Sequence, residues 1–126
     1  MIARIIQITT KPGKREEFVK TMAERNLPVV KQQPGFVEAM VLTSETQRDE
    51  LIGIAIWKNK KDAGTYASGP GREVLEAMRP LLQEAPTIRT LNLAASTAHE
   101  VGIESAAAEL GLRARKQERV GLKFQS

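Results

Sequence analysis

Residues 51–57 read Leu-Ile-Gly-Ile-Ala-Ile-Trp, with isoleucine at each even position and Leu51, Gly53, Ala55 and Trp57 at the odd ones. Side chains of a strand alternate between faces, so this run specifies a β-strand whose two faces are furnished differently. One face is uniformly bulky. The other sets two small residues before the chain's one tryptophan, and small side chains beside a large ring leave space rather than fill it. Assigning Ile52, Ile54 and Ile56 to a helical layer places the Gly-Ala-Trp face against a second sheet, with a hollow between the two sheets.

The neighbouring segments supply the order of elements. IARIIQITT is rich in β-branched residues and ends at the turn Lys11-Pro12-Gly13-Lys14. Glu16 and Glu17 suit the positive end of a helix whose apolar stripe is Phe18, Val19, Met22 and Ala23. Pro28 removes an amide donor and predicts a kink or restart near Leu27, and Pro34-Gly35 stops the helix. FVEAMVLTSE and DELIGIAIWK flank a polar segment and predict a hairpin with a loop longer than two residues. Beyond Trp57, a polar stretch and then REVLEAMRPLL predict one or two short helices broken at Gly69-Pro70-Gly71, with Val74, Leu75, Met78, Leu81 and Leu82 on the buried side. TIRTLNLAA reads as a last strand. The order β-α-β-β-α-β predicts an α+β, ferredoxin-like fold with an antiparallel sheet. Two helices cover one face of such a sheet, and the other face calls for a partner, so a homodimer or higher homo-oligomer is expected.

Length and composition bound the function classes. The 126 residues suffice for one ordinary core, and 41% hydrophobic with 27% charged residues reads as globular. No apolar run approaches the ~18 residues of a membrane span, and the N-terminus lacks the basic start and long apolar middle of a signal peptide. With no cysteine, thiol chemistry and disulfides are excluded, which fits a cytoplasmic protein. The net charge of +4 is concentrated in residues 113–123; without an aromatic or helix-turn-helix pattern this stretch reads as solvated surface, not a nucleic-acid site. Residues 1–94 are expected to form the domain and residues 95–126 an extension. Its GIESAAAEL segment predicts a helix, and Val120, Leu122 and Phe124 alternate like a short strand. We expect it to make an oligomer contact or to lid the cavity.

The start ITTKPGKREEF, the Pro34-Gly35-Phe36 before the second strand and the Trp57-Lys58-x-Lys60-x-x-Ala63 segment, in this order, resemble the antibiotic biosynthesis monooxygenase family of dimeric α+β-barrel proteins over residues 2–94. The resemblance implies a homodimer whose two sheets form a barrel, with a small cavity in each subunit. It implies activities ranging from cofactor-independent oxygenation of quinol-like or polyketide aromatics to haem degradation, and includes members without established activity. Where many members carry histidines, this chain has Tyr66 and Gly71. The asparagine, tryptophan and axial histidine of the haem-degrading branch correspond to Gln7, Tyr66 and Glu76, so haem ligation by that route is not expected. The chain's one histidine, His99, lies beyond the resemblance. No phosphate loop, dinucleotide fingerprint or Ser-His-Asp set is present, so no cofactor or metal is expected.

Cofactor-independent oxygenation of a phenol or quinol needs a dry pocket, a hydrogen-bonding group near the reacting oxygen and stabilisation of the developing anion. Trp57 is the candidate pocket wall, or plain core packing at the strand end. Tyr66 is the candidate for orienting a hydroxyl, or an amphipathic helix residue with a wet tip. Gln7 is the candidate pocket-facing polar group of the first strand, with Arg4 on the helix side and its head in water. Arg72, at a helix start, and Asn92, in preference to Arg89 on the last strand, are candidates for binding substrate. The expected function is oxygenation of an aromatic or quinol-like small molecule; the alternative is a non-catalytic binding or structural barrel, and a weaker third reading is an isomerase or lyase on the same barrel.

Overall fold

The computed structural model describes residues 1–99. The helix and strand expected in residues 102–110 and 120–124, and the basic stretch 113–123, lie outside the described residues. Four strands, β1 (Ile2–Thr9), β2 (Phe36–Thr43), β3 (Glu50–Trp57) and β4 (Thr87–Asn92), form one sheet in the order β2-β3-β1-β4. β3 pairs antiparallel with both β1 and β2. Helices α1 (Arg15–Thr21) and α2 (Leu27–Val30) precede the hairpin, and α3 (Lys60–Ser68) and α4 (Pro70–Met78) follow it. This is the ferredoxin-like α+β arrangement expected from the element order.

Local chemistry sets the boundaries. Gly13 and Gly35 take positive φ, 77° and 78°, at the two turns that end β1 and the first helical segment. Asn59 caps α3, its Oδ1 accepting from the backbone N–H of Asp62 at 2.8 Å. Residues 60–78 form two helices with a break at Gly69, and Arg79–Leu81 follow as a 3-10 turn around Pro80; Pro70 and Gly71 belong to the first turn of α4, where the missing proline N–H costs nothing. Arg15 pins the hairpin loop, donating from Nη1 to the Ser44 carbonyl at 2.8 Å.

The strand faces reverse the expectation from residues 51–57. Register pairs Ile2 with Trp57, Arg4 with Ala55, Ile6 with Gly53 and Ile8 with Leu51. Ile8 and Leu51 pack with Phe18, Met78 and Leu82, with Val74, Leu75 and Leu81 at the margin; Ile2 and Trp57 pack with Val30 and Ala63. The Leu-Gly-Ala-Trp face therefore carries the helices. Ile52, Ile54 and Ile56 lie on the opposite face with Ile5, Gln7, Met40 and Leu42, of which Gln7, Met40 and Leu42 are exposed. A period of two separates the faces but does not say which one the helices take, and here the tighter face is the one with room for helix side chains.

Two irregularities shape the interior. Between Phe36 and Glu38 the β2–β3 register slips, so that Phe36 opposes Trp57 while Glu38 opposes Ile56, with Val37 the additional residue. Between α1 and α2, Met22–Asn26 form a π-helical turn in which the Leu27 N–H reaches back to the Met22 carbonyl. Pro28 has no N–H to give the Glu24 carbonyl, which is the restart that the sequence predicts there. The wider turn leaves Ala23 exposed, against expectation, and turns Asn26 into the interior.

Met1–Leu91 form one unit. In the second, from Asn92 onward, the described residues include a small turn in which Ser96 Oγ accepts from the backbone N–H groups of Ala98 and His99, each at 3.1 Å.

Candidate active site

Between the sheet and the helices lies a cavity of about 200 Å³. Its floor is built where the sheet is thinnest: Ala39 on β2, Gly53 and Ala55 on β3, and Ile6 on β1. A Cβ placed on Gly53 would meet only the Ile6 Cβ, at 3.9 Å. The hollow inferred from these small residues exists, but it lies under the helices of this chain, on the face that the sheet turns to them.

Trp57 closes one end. It is 1% exposed, packs in the Ile2–Val30–Ala63 cluster and also lines the cavity, so core packing and pocket wall are the same position. Phe36 meets it edge-on, with centroids 5.6 Å apart and planes at 80°. Tyr66 leans over it at 5.3 Å and 35°.

Tyr66 donates its hydroxyl proton to Asn26 Oδ1 at 2.6 Å, joining α3 to the π-helical turn. Burial pushes the phenol above its ordinary value, and the Asn26 hydrogen bond offsets this in part. The hydroxyl is therefore protonated at neutral pH, with its proton committed to Asn26 and its oxygen lone pairs available to a donor on a ligand. Tyr66 is a fixed hydrogen-bonding group, not a base.

Arg4 shares the inner face of β1 with Ile2, Ile6 and Ile8. It lines the cavity, and its Nε is buried without a hydrogen-bond partner among the described residues. Arg72, in the first turn of α4, is exposed and reaches the cavity rim. Glu76, one turn on, gives its carboxylate to Arg79 at 2.7 Å, and this contact ahead of Arg72 holds it below the usual carboxylate range. No Asp or Glu lines the cavity among the described residues. The charged side chains lining the cavity are thus Arg4 and, at the rim, Arg72, both positive.

The structure thus gathers Trp57, Tyr66 and Arg72 at one cavity. Gln7 is not there: it is exposed on the opposite face, paired with Ile52, because residues of its parity point away from the helices. Asn92 ends β4, exposed, and does not line the cavity. Arg4 lies on the helix side as expected; it is half-buried, with its Nε enclosed. Asn26 was not legible as a site residue; its only sequence signal is Pro28, two positions on, which shifts the helical register.

Tyr66 and Gly71, the positions where the family resemblance suggests histidines, are in contact. A Cβ on Gly71 would stand 2.7 Å from Tyr66 Cε2 and 2.9 Å from the Tyr66 carbonyl oxygen. The ring at 66 requires the absence of a side chain at 71. Among the described residues no group of three His, Cys, Asp or Glu side chains is placed to hold a metal ion, and no helix is long and apolar enough to cross a membrane.

A ferredoxin-like sheet with an aromatic-walled cavity beneath its helices defines a class of small α+β proteins. The model of the antibiotic biosynthesis monooxygenase family matches residues 1–85, and the chain belongs to that family. SnoaB from Streptomyces nogalater, a cofactor-independent oxygenase, is similar in structure: TM-score 0.66 and 20% identity, covering 78% of this chain and 97% of SnoaB. A protein of unknown function from Nitrosomonas europaea aligns with TM-score 0.69 and 19% identity over 80% of this chain and 95% of its own. A conserved protein from Methanosarcina mazei gives 0.64 and 15% over 73% and 92%. At these identities the likeness concerns the fold. No curated protein matches the chain.

Proposed function

We propose that the protein is a cofactor-independent oxygenase acting on a phenolic or quinol-like aromatic bound between sheet and helices. The observation carrying this reading is an apolar cavity whose polar lining, among the described residues, is Arg4, Asn26, Tyr66 and Arg72. SnoaB, described as a cofactor-independent oxygenase, supports the reaction type. Trp57 walls the ring. The Tyr66 oxygen, held by Asn26, accepts from a substrate hydroxyl, and the Arg4 Nε–H faces the phenolate. Stabilising the phenolate lowers the cost of losing its proton to solvent at the cavity mouth, so no side-chain base is required. The anion passes an electron to dioxygen. Recombination of the radical with superoxide at a ring carbon bearing hydrogen gives a peroxide anion, which takes up a proton, and loss of water leaves the quinone, with one oxygen atom as a carbonyl on the ring and the other in water. The protein's part is water exclusion, orientation and charge stabilisation.

The working form we propose is a cytoplasmic homodimer, with residues 1–94 as the catalytic domain and residues 95–126 contributing an oligomer contact. The second reading is a non-catalytic binding barrel. It is favoured by tyrosine and glycine at positions 66 and 71, where the resemblance suggests histidines. Oxygen consumption over a panel of quinols and hydroxyanthracenes, wild type against Trp57→Phe and Tyr66→Phe, separates the two. Turnover reduced by either substitution supports catalysis; binding without oxygen uptake on any substrate rejects it.

A further inference from the structure

We infer that the cavity selects an aromatic anion of one or two rings, with Arg4 as its internal counter-charge. This rests on the cavity being the ligand site, as proposed above, but not on turnover. The size comes first. An apolar cavity of about 150 Å³ holds benzene, whereas sites for drug-sized ligands run to about 300 Å³ and beyond. At about 200 Å³ this cavity lies just above the former and short of the latter, enough for a single or fused pair of rings.

The charge follows from Arg4. A buried donor without a partner is costly unless something pairs with it, and on the half-buried Arg4 that donor is the Nε–H. Its strand neighbours on the same face are Ile2 and Ile6, its cross-strand partner is Ala55, and no carboxylate lines the space. No side chain of the described residues supplies the missing acceptor, and the cavity into which Arg4 faces is where a ligand oxygen can. Trp57 lies two residues along β3 from Ala55 on the same face, so a ring against the indole brings an attached oxygen toward the guanidinium. Arg72 at the rim adds attraction for the same sign of charge.

The test is calorimetric titration of the full chain with naphthoate, its neutral isostere naphthamide, benzoate and anthracene carboxylate. Naphthoate is expected to bind at least about tenfold more tightly than naphthamide, since a charge-assisted hydrogen bond is worth about a factor of ten or more, and more tightly than anthracene carboxylate, whose third ring exceeds the space of the cavity. Arg4→Met should abolish the preference for carboxylate over amide, and Arg4→Lys should retain part of it. Both should fold, because an apolar or flexible replacement removes an unpartnered buried donor; circular dichroism checks this, with Arg4→Gln as a further variant. Equal binding of acid and amide, unchanged naphthoate affinity in folded Arg4→Met, or no binding of any of the four compounds overturns the inference. A carboxylate preference without oxygen uptake on any quinol would reject the oxygenase reading and leave this one standing. Oxygen uptake on a quinol together with equal binding of acid and amide would do the reverse.

Discussion

The contact between positions 66 and 71 gives the sharpest mechanical prediction. In Gly71→Ala the new Cβ starts 2.7 Å from Tyr66 Cε2 and 3.0 Å from Cδ2, where ordinary contact begins at 3.4 Å. The ring edge must retreat by about 0.7 Å, and the Tyr66 carbonyl at 2.9 Å bars a purely side-chain solution. The ring is held by Trp57 on its face and Asn26 at its hydroxyl, so retreat strains a 5.3 Å ring contact and a 2.6 Å hydrogen bond. Overpacking of this kind costs ~1–3 kcal/mol, against a gain of up to ~1 kcal/mol for replacing a helical glycine by alanine. The expected net loss is about 1–2 kcal/mol, a drop of several degrees in Tm for a domain of this size. Urea unfolding followed by Trp57 fluorescence reads it directly, since this is the chain's one tryptophan. In a Tyr66→Ala background the same substitution should cost about 1 kcal/mol less. A Gly71→Ala protein as stable as wild type, or a double mutant with simply additive losses, would refute the argument that the tyrosine at 66 dictates the glycine at 71.

Gly53→Ala, by contrast, meets only the Ile6 Cβ at 3.9 Å; it should raise stability by ~0.4–1 kcal/mol and weaken ligand binding, measured by urea midpoint and calorimetry. The folded protein holds the Tyr66 proton more tightly than the unfolded chain does, so stability is full below pH 10.0 and declines as pH rises from there through the raised folded pKa. Tyr66→Phe should lose that decline, and ultraviolet titration of the chain's single tyrosine should show its midpoint above the ordinary value. Under the proposed homodimer, Ile52→Asp puts a carboxylate on the sheet face away from the helices and should yield folded monomers in sedimentation; an intact dimer would exclude that face as the interface.

The sequence was informative where a local rule has a single solution. Element order, the turns at Gly13 and Gly35, the restart before Pro28 and the buried set around Val74, Leu75 and Met78 follow from periodicity and backbone chemistry. The small residues at 53 and 55 correctly announced a void beside Trp57. Which side of the sheet it occupied was not local information. Both faces of β3 are apolar, and the choice depended on the register with β1, where Ile2, Ile6 and Ile8 join the helices while Gln7 points away. Asn26 was hidden for a related reason: an ideal 3.6-residue period places Ala23 inward, and the π-helical turn rewrites the phase within five residues. Tyr66 and Trp57 were visible because aromatic residues are scarce in this chain and their positions limit where a ring can stack.

The slip in β2 has an electrostatic consequence. Had the Phe36–Trp57 register continued through Val37 without a slip, Glu38 would fall opposite Ala55, in the same transverse row as Arg4 and on the same side. Two strand spacings, about 9–10 Å, would then separate carboxylate from guanidinium within reach of their long side chains. The pair would close into a salt bridge and quench the interior field. Val37 rotates the acid out to the row of Ile56 instead. The slip thus keeps this acid off the row of Arg4, so the inner face of the sheet holds its guanidinium without a glutamate beside it.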